Sequence, residues 1–354
     1  MKTTHFFRIH DFLTLRLRDT IGIRERLLIE PLRGYIHFNV PEVPLDALDL
    51  DVEIGPFKLA PPADARRVNR KFWVAPDYFG CEDDYKVLSW KVEIRGWDTG
   101  KVRLRIEPGG LGTVALGSRL IDCTVRYLLA LKGAPVVHSC GVVIGGQASL
   151  LSGRSGVGKS TLAMQLVGRG AALLGDNWVG VHAGQAWSFH TPVNVHDYNV
   201  ARNIYDRMPL GHRLDMWGKA FLRRVSLGYL KKSTPIVLRD LFPEIVAEHA
   251  PLRHVLTFSQ GPRFAMRPLA RPVAIQRLVA NDMMDREAYY RYMQAYAAVF
   301  PDGLVAAHWS RLKENLDRAF PATAAFLDVV VERRITPAMV DAIHRCLTQD
   351  GALV

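Results

Sequence analysis

The sequence is poor in the features that mark membrane proteins and disulfide-stabilised secreted proteins. Its 354 residues include only four cysteines, Cys81, Cys123, Cys140 and Cys346, and no C-x-x-C pair. This spacing argues against a disulfide framework or a zinc site and fits a reducing cytoplasm. No apolar run approaches the about 20 residues of a membrane span, and the first residues lack the apolar stretch of a signal peptide. We therefore expect a cytoplasmic protein with no membrane contact.

Acidic residues are also scarce relative to basic ones. The chain has 35 Asp and Glu against 46 Lys and Arg, which gives a formal net charge of +11. Part of the excess is concentrated in one segment, at Arg202, Arg207, Arg213, Lys219, Arg223, Arg224, Lys231 and Lys232. These residues form either a solvated helical face or a surface that attracts a nucleotide or an acidic substrate. No recognised nucleic-acid-binding module is present, which argues against a nucleic-acid partner.

The chain is long enough for two domains. Residues 1–115 contain short stretches of alternating apolar and polar residues, such as Leu13–Arg18, separated by prolines and glycines, which is typical of strands. The first long helical pattern runs from Ser118 to Leu131, so we place a boundary at Gly112–Gly117. The sequence thus predicts a small β-rich domain over 1–115 and an α/β domain over 116–354.

The C-terminal half shows further periodic segments, but residues 191–250 are mixed and interrupted by prolines, and we assign them no elements. Beyond them, the pattern predicts strands at His254–Phe258 and Phe326–Val331 and helices at about 272–283, 286–299 and 304–319. A last helix is expected after Thr336, with Thr336 as the N-cap and Pro337 at the first helical position.

A phosphate-binding loop is the clearest motif in the chain. The run from Gly153 to Ser160 fills every fixed position of G-x-x-x-x-G-K-[ST], and it lies between a predicted strand and a predicted helix. In such a loop the backbone N–H groups point at phosphate oxygens, the lysine reaches the β- and γ-phosphates, and the hydroxyl ligates Mg²⁺. The predicted nucleotide-binding residues are Gly153, Arg154, Ser155, Gly156, Val157, Gly158, Lys159, Ser160 and Thr161.

Two further residues are candidates for chemistry. Asp176 follows the predicted buried strand Ala171–Leu174, where a phosphoryl-transfer site commonly holds its metal-binding carboxylate. The alternative is an ordinary turn residue that caps the strand. His138 lies on the hairpin before the phosphate loop, and it is either a catalytic residue or a packed core histidine.

These segments together resemble a known family. The sequences HSCGVV from His138, LSGRSGVGKST from Leu151 and GRGAALLGDN from Gly168 are similar to the catalytic domain of HPr kinase/phosphorylase. They are closer still to the HPr-kinase-related proteins found among bacterial peptide-modification and serine-kinase genes. The resemblance is clear over about 135–180. It implies a P-loop kinase fold akin to the nucleotide core of PEP carboxykinase, Mg-ATP as phosphoryl donor, a hydroxyl acceptor and an oligomeric state.

By residue match, the resemblance gives catalytic roles to His138, Lys159 and Asp176, and metal binding to Ser160 and Asp176. One departure matters, because the family carries a second acid where this chain has Asn177. An asparagine side chain cannot accept a proton at neutral pH. Either Asp176 or His138 supplies the base, or positioning suffices for a loose transition state, or the protein transfers no phosphate. A second acidic signature of the family is also not recognisable here, and Asp197, Arg202 and Asp206 are the candidate substitutes.

The leading functional hypothesis is an ATP-dependent kinase that phosphorylates a serine-type hydroxyl of a peptide, a protein or a small metabolite. The second is a nucleotide-binding accessory protein with little or no phosphotransfer, which Asn177 favours. A motor-type or ABC-type ATPase is a third possibility, and the absence of an LSGGQ-like signature argues against it.

Overall fold

The computed structural model describes residues 3–21, 33–85, 88–110, 120–189, 191–227, 229–230 and 232–348. It is a mixed α/β structure with two compact units: Met1–Pro135 with Met283–Asn315, and Val136–Asp282 with Leu316–Val354. The boundary predicted at Gly112–Gly117 lies outside the described residues, so it stays a prediction. Within the described part of the chain, no helix is both long enough and apolar enough to cross a bilayer.

The strands are β1 (Thr3–Ile9), β2 (Leu13–Asp19), β3 (Asn39–Val40), β4 (Leu50–Ile54), β5 (Arg66–Arg67), β6 (Phe72–Ala75), β7 (Tyr78–Tyr85), β8 (Leu88–Arg95), β9 (Val102–Gly110), β10 (Val136–Ile144), β11 (Gln147–Gly153), β12 (Ala172–Gly175), β13 (Trp178–His182), β14 (Gln185–Ser188), β15 (Val193–Val195), β16 (Thr234–Ile236), β17 (His249–Gln260), β18 (Ala265–Pro268) and β19 (Ala325–Val331). The α-helices are α1 (Asp122–Leu131), α2 (Lys159–Val167), α3 (Arg202–Arg207), α4 (Leu210–Val225), α5 (Leu238–Leu241), α6 (Arg271–Asp285), α7 (Glu287–Ala297), α8 (His308–Ala319) and α9 (Pro337–Thr348).

The first unit is built on a nine-stranded sheet in the order β3-β1-β2-β4-β9-β8-β7-β6-β5. The strand predicted at Leu13–Arg18 is confirmed as β2, in which buried leucines alternate with half-buried polar residues. The polar side is stabilised by ion pairs across strands, for example between Arg16 and Asp51 at 2.8 Å. On the apolar side, Trp97 is fully buried among aromatic rings, with Tyr127 and Tyr289 packed edge-on against it.

The second unit contains an eight-stranded sheet in which β11, β17 and β19 are neighbouring parallel strands. One face of these strands carries the aligned leucines Leu151, Leu256 and Leu327, which are buried in the same apolar cluster as residues of α2 and α9. Parallel strands run in one direction, so their carboxyl ends meet at one edge. One row in from that edge, Ser152 of β11, Thr257 of β17 and Asp328 in the middle of β19 lie side by side in register.

Most predicted elements of the second unit are present, with shifted ends. The last helix begins at Pro337, and the N–H of Met339 donates to the Thr336 hydroxyl at 3.4 Å. Residues 191–250, which were given no elements, contain β15, α3, α4, β16 and α5. The longest of these, α4, has 16 residues, of which only Met216 and Ala220 are buried.

Candidate functional site

The phosphate-loop motif occupies the turn from β11 into α2. Gly156 and Gly158 have φ angles of +86° and +101°, in the left-handed region that side chains disfavour. At Gly153 a Cβ atom would lie 2.9 Å from the backbone oxygen of Phe258, so close approach of β17 requires a glycine there. Val157 is buried in the apolar cluster and fixes the middle of the loop. The motif glycines are therefore explained by the local geometry.

Lys159 is the first residue of α2 and lies against its own loop. Its ammonium donates to the carbonyl oxygens of Gly153 at 2.6 Å and Arg154 at 3.2 Å, and the residue is only 6% exposed. A second support comes from Gln260 at the end of β17, whose amide donates to the oxygen of Gly156 at 3.2 Å. The loop is thus held from both sides by groups that do not depend on a bound molecule.

Asp176 and Ser160 are brought together by the fold. The Ser160 hydroxyl donates to Oδ1 of Asp176 at 2.7 Å, and the Cys140 thiol donates to the same oxygen at 2.7 Å. Asp176 is 1% exposed, and its second oxygen, Oδ2, has no hydrogen-bond partner among the described residues. A buried carboxylate oxygen without a partner is costly, so this group is suited to a ligand that supplies positive charge or protons.

The chemistry of this cluster fits Mg²⁺. Mg²⁺ takes six oxygen ligands and is usually bound through one or two carboxylates, with waters and phosphate oxygens completing the shell. The Asp176 carboxylate and the Ser160 hydroxyl, at the start of α2, supply two such oxygen ligands. Among the residues that the structure describes, no group of three or more His, Cys, Asp or Glu could hold a metal ion by itself. A metal held by Asp176 and Ser160 would have further oxygen ligands, which waters and a polyphosphate can supply.

Cys140 was not singled out by the sequence reasoning. Burial raises the pKa of its thiol well above the ordinary value, and the nearby charge of Asp176 raises it further. The thiol therefore stays protonated and acts as a hydrogen-bond donor. Its position depends on Gly141 of β10, where a Cβ atom would meet the Leu174 side chain at 2.9 Å.

The turn after β12 positions Asp176. At Gly175 a Cβ atom would lie 2.5 Å from the backbone oxygen of Trp178, so only glycine fits. The Thr191 hydroxyl donates to the backbone oxygen of Asp176. Asn177 has a φ of +76°, which asparagine tolerates better than most residues, and its carbonyl oxygen accepts from the N–H of Ser139 at 3.0 Å. Asn177 is thus part of the turn that connects β12 to β13.

His138 is buried on β10 and lies opposite Trp178 of β13. Its carbonyl oxygen accepts two hydrogen bonds, from the Ser152 hydroxyl at 3.0 Å and from the Asn281 amide at 3.3 Å. Ser152 directly precedes the phosphate loop, and Asn281 belongs to α6. The backbone of His138 is therefore fixed to the strand that carries the loop.

The three candidate substitutes for the second acidic signature, Asp197, Arg202 and Asp206, lie apart from this cluster. Asp197 accepts a 2.8 Å hydrogen bond from Arg223. Arg202 and Asp206 lie 3.7 Å apart on α3, with 94% and 58% of their side chains exposed. In the described part of the chain, none of the three bonds to Ser160 or Asp176, so the structure does not join them to the cluster.

A charged group in the middle of β19 was also missed by the sequence analysis. Asp328 of β19 is 3% exposed and accepts hydrogen bonds from Arg267 and Arg277. Burial opposes its ionisation, but the two guanidinium groups outweigh that effect and hold the pKa of Asp328 below its ordinary value. Arg277 also donates to Thr257 at 3.2 Å, beside the strand that ends in the phosphate loop. A single acid inside the apolar run Phe326–Val331 was the available sequence signal.

No protein-family model and no curated protein matches the chain. Among solved structures, the Hpr(Ser) kinase/phosphatase from Coxiella burnetii aligns with 43% of this chain and 98% of its own chain, at 13% identity and a TM-score of 0.23. The function proposed below accordingly rests on the residues and contacts of this chain.

Proposed function

We propose that the protein is an ATP-dependent phosphotransferase of the HPr-kinase-like type. It moves the γ-phosphate of Mg-ATP to a serine-type hydroxyl of a peptide, a protein or a small metabolite. The observation that carries the proposal is the 2.7 Å hydrogen bond between Ser160 and Asp176. It joins a complete phosphate-loop motif to a buried carboxylate after β12, a strand that is separated from β11 by β10. These are two of the parts that phosphoryl transfer needs.

In this proposal the loop binds the nucleotide. The N–H groups between Arg154 and Thr161 cradle the phosphates, at the positive N-terminal end of α2. The ammonium of Lys159 leaves the carbonyl oxygens of Gly153 and Arg154 to contact the β- and γ-phosphates. The carbonyl oxygens that it leaves belong to the loop, where Arg154 is exposed and open to water.

Ser160 and Asp176 hold the metal. Bound Mg²⁺ would neutralise charge on the phosphate oxygens. Asp176 has the geometry for this role because its Oδ2 atom is buried without a partner in the described structure. The Cys140 thiol contacts only Oδ1, so it orients the carboxylate while the other oxygen stays available.

The acceptor hydroxyl loses its proton when it is phosphorylated, so a base must accept that proton. Asn177 cannot take it, so the base is His138 or Asp176, or the loose transition state makes a strong base unnecessary. His138 is the candidate that the family resemblance supplies, and its backbone carbonyl accepts from Ser152 of the strand before the loop.

A direct assay tests the proposal. Purified protein is incubated with Mg-ATP and candidate acceptors. These are the peptides and proteins encoded beside its gene and the hydroxyl-bearing metabolites made by the neighbouring enzymes. The products are examined by mass spectrometry. We expect one acceptor to gain the mass of one phosphate, and we expect Lys159→Ala to abolish the gain. If no candidate gains that mass, or if Lys159→Ala leaves the gain unchanged, the proposal is wrong.

Asn177 favours a second candidate function, a nucleotide-binding accessory protein that does not transfer phosphate. In that case calorimetry should detect Mg-ATP binding that depends on Lys159, with no ADP formed over hours. Phosphotransfer by the unaltered protein would exclude this alternative.

A further inference from the structure

The helix α4 leaves an apolar stripe in water. Five large apolar residues recur every three or four positions and share one face of the helix. These are Leu210, Leu214, Trp217, Phe221 and Val225, which are 67%, 60%, 71%, 60% and 67% exposed. Single exposed apolar residues are ordinary, but a continuous row of them marks an interaction site.

A cleft adjoins this stripe. It encloses about 350 Å³ beside α3 and α4. Trp217 and Phe221 of the stripe line it together with Val200 and Tyr205. Its charged lining residues are Arg202, Arg224 and Asp197, and Asp197 is already paired with Arg223. A concave, aromatic-lined surface accepts an inserted side chain, as the central anchors of protein interfaces require.

The surrounding charge selects an acidic partner. Between Arg202 and Lys232 the sequence has eight Lys and Arg residues but only two acids, Asp206 and Asp215. A second copy of this surface would bring like charges together, which disfavours a symmetric pairing. Carboxylates on a partner would instead meet Arg202 and Arg224 at the cleft.

Two glycines indicate the shape of the partner. Gly211 in the first turn of α4 and Gly218 in its interior each come directly after a stripe residue, seven positions apart. A Cβ atom at either position would meet nothing within 4 Å, so packing within the chain does not require glycine. Glycine weakens a helix interior, and its usual benefit is the close approach of another backbone. A bilayer surface has no backbone to bring close, whereas a second helix does.

We propose that the α4 stripe and its cleft bind an acidic amphipathic helix of another protein. Apolar residues of that helix fill the cleft between Trp217 and Tyr205, its carboxylates face Arg202 and Arg224, and its backbone passes close to Gly211 and Gly218. This is helix-in-groove recognition with charge complementarity. The inference does not depend on phosphotransfer, because it concerns binding alone.

The test uses the full chain and a displayed library of 20-residue amphipathic helices with leucine and aromatic residues on one face. One half of the library carries Glu and Asp on the polar face, and the other half carries Lys and Arg. We expect enrichment only from the acidic half. The best acidic peptide, labelled with fluorescein, should lose at least tenfold in affinity with Trp217→Gln or Arg224→Glu. The matched controls Leu45→Gln and Arg70→Glu, at exposed positions of the first unit, should leave the affinity unchanged.

Gly218→Gln separates binding from folding. This change should keep or raise the melting temperature, since glutamine is a better helix former than glycine. The affinity for the acidic peptide should nevertheless fall at least tenfold. Several results would overturn the proposal: no enrichment, enrichment from the basic half, or unchanged affinity of the Gly218 variant. If the protein binds phosphatidylglycerol vesicles and Trp217→Gln abolishes that binding, the occupant of the stripe is a lipid surface and the proposal is wrong. If sedimentation shows a dimer that Trp217→Gln dissociates, the occupant is a second copy of this chain and the proposal is also wrong.

Discussion

The Ser160 hydroxyl donates a 2.7 Å hydrogen bond to Oδ1 of Asp176, which links the first turn of α2 to the end of β12. The two residues are 16 positions apart in the sequence. The contact requires the glycine at 175, whose hydrogen is all that fits beside the backbone of Trp178. The phosphate loop and the carboxylate therefore form a single unit of structure.

Asp176→Asn should separate metal binding from nucleotide binding. The asparagine has the same shape and can still accept from Ser160, but it lacks the negative charge that Mg²⁺ needs. We expect Mg²⁺-dependent nucleotide affinity to fall by at least about 10- to 100-fold, the loss typical of removing even an outer partner of a metal ligand, with little change in affinity measured in EDTA. Isothermal titration with and without Mg²⁺ measures both quantities. Asp197→Asn, at a residue that bonds to Arg223, is the matched control. Equal losses with and without Mg²⁺ would show that Asp176 does not hold the metal.

The buried thiols predict that stability falls at alkaline pH. Burial raises the pKa of Cys140, and it raises that of Cys123 to about 12. A raised pKa means that the folded protein keeps a proton that the unfolded chain releases above about pH 8.5. The free energy of unfolding should therefore decrease as the pH rises from about 8.5 to 10, by up to about 1.4 kcal/mol per pH unit for each thiol.

Cys140→Ser tests this assignment. The serine hydroxyl can still donate to Asp176 but does not titrate in this range, so the decrease between pH 8.5 and 10 should become smaller. Urea unfolding at several pH values measures it. Cys346→Ser is the comparison variant, and it should reduce the slope less, because burial raises the pKa of this half-buried thiol without a neighbouring carboxylate. The same slope for unaltered protein and Cys140→Ser would contradict the prediction.

Asp122 in the first unit predicts a second pH effect, at lower pH. It is buried, its pKa is raised to about 7 by burial, and it accepts from the Tyr35 hydroxyl at 2.8 Å. The folded form holds the proton between about pH 4 and 7, whereas the unfolded chain releases it near pH 3.9. Stability from this residue is thus present below about pH 4 and is lost as the pH rises to 7, a change of order 4 kcal/mol.

Asp122→Asn should remove that slope, since asparagine is neutral throughout and keeps an oxygen for Tyr35. Unfolding midpoints between pH 4.5 and 7.5 measure the effect, with Asp46→Asn at an exposed position as the control. If the variant and the unaltered protein show parallel pH profiles, Asp122 is ionised in the folded state and the assignment is wrong.

The parts of the site that were predicted are local in sequence. The turn from Gly153 to Ser160 was predictable because Gly156 and Gly158 are required by their own backbone angles, whereas phosphate binding by this turn stays a prediction. The pairing of Asp176 with Ser160 follows the general rule that the metal-binding carboxylate of a phosphoryl-transfer site lies at the end of a core strand close to the phosphate loop. Cys140 was not predictable, because its approach to Asp176 depends on the register between β10 and β12, which shifts between Gly141 and Val142. No local pattern encodes such a shift.

The exposure of the α4 stripe and the partners of Asp328 could not be derived from the sequence, each for a different reason. An apolar periodicity predicts a buried helical face, but the stripe of α4 is exposed, because its partner is not another part of the described structure. Asp328 is a charge within an apolar strand, and its partners come from α6 and from β18. The sequence could indicate that such a charge needs a partner, but only the tertiary structure identifies Arg267 and Arg277.

Asn177→Asp tests what limits the chemistry. The change keeps the backbone, since aspartate also adopts the left-handed conformation that this position has at a φ of +76°. It places a carboxylate directly after Asp176, where the resembling family carries its second acid. A positioned general base typically contributes 10²- to 10⁴-fold, so we expect phosphotransfer or ATP hydrolysis to increase at least about tenfold. Product formation at saturating Mg-ATP measures it, with Asn177→Gly as the control that keeps the turn and lacks a side chain. Equal rates for the unaltered protein and both variants would show that the missing carboxylate at position 177 does not limit the reaction.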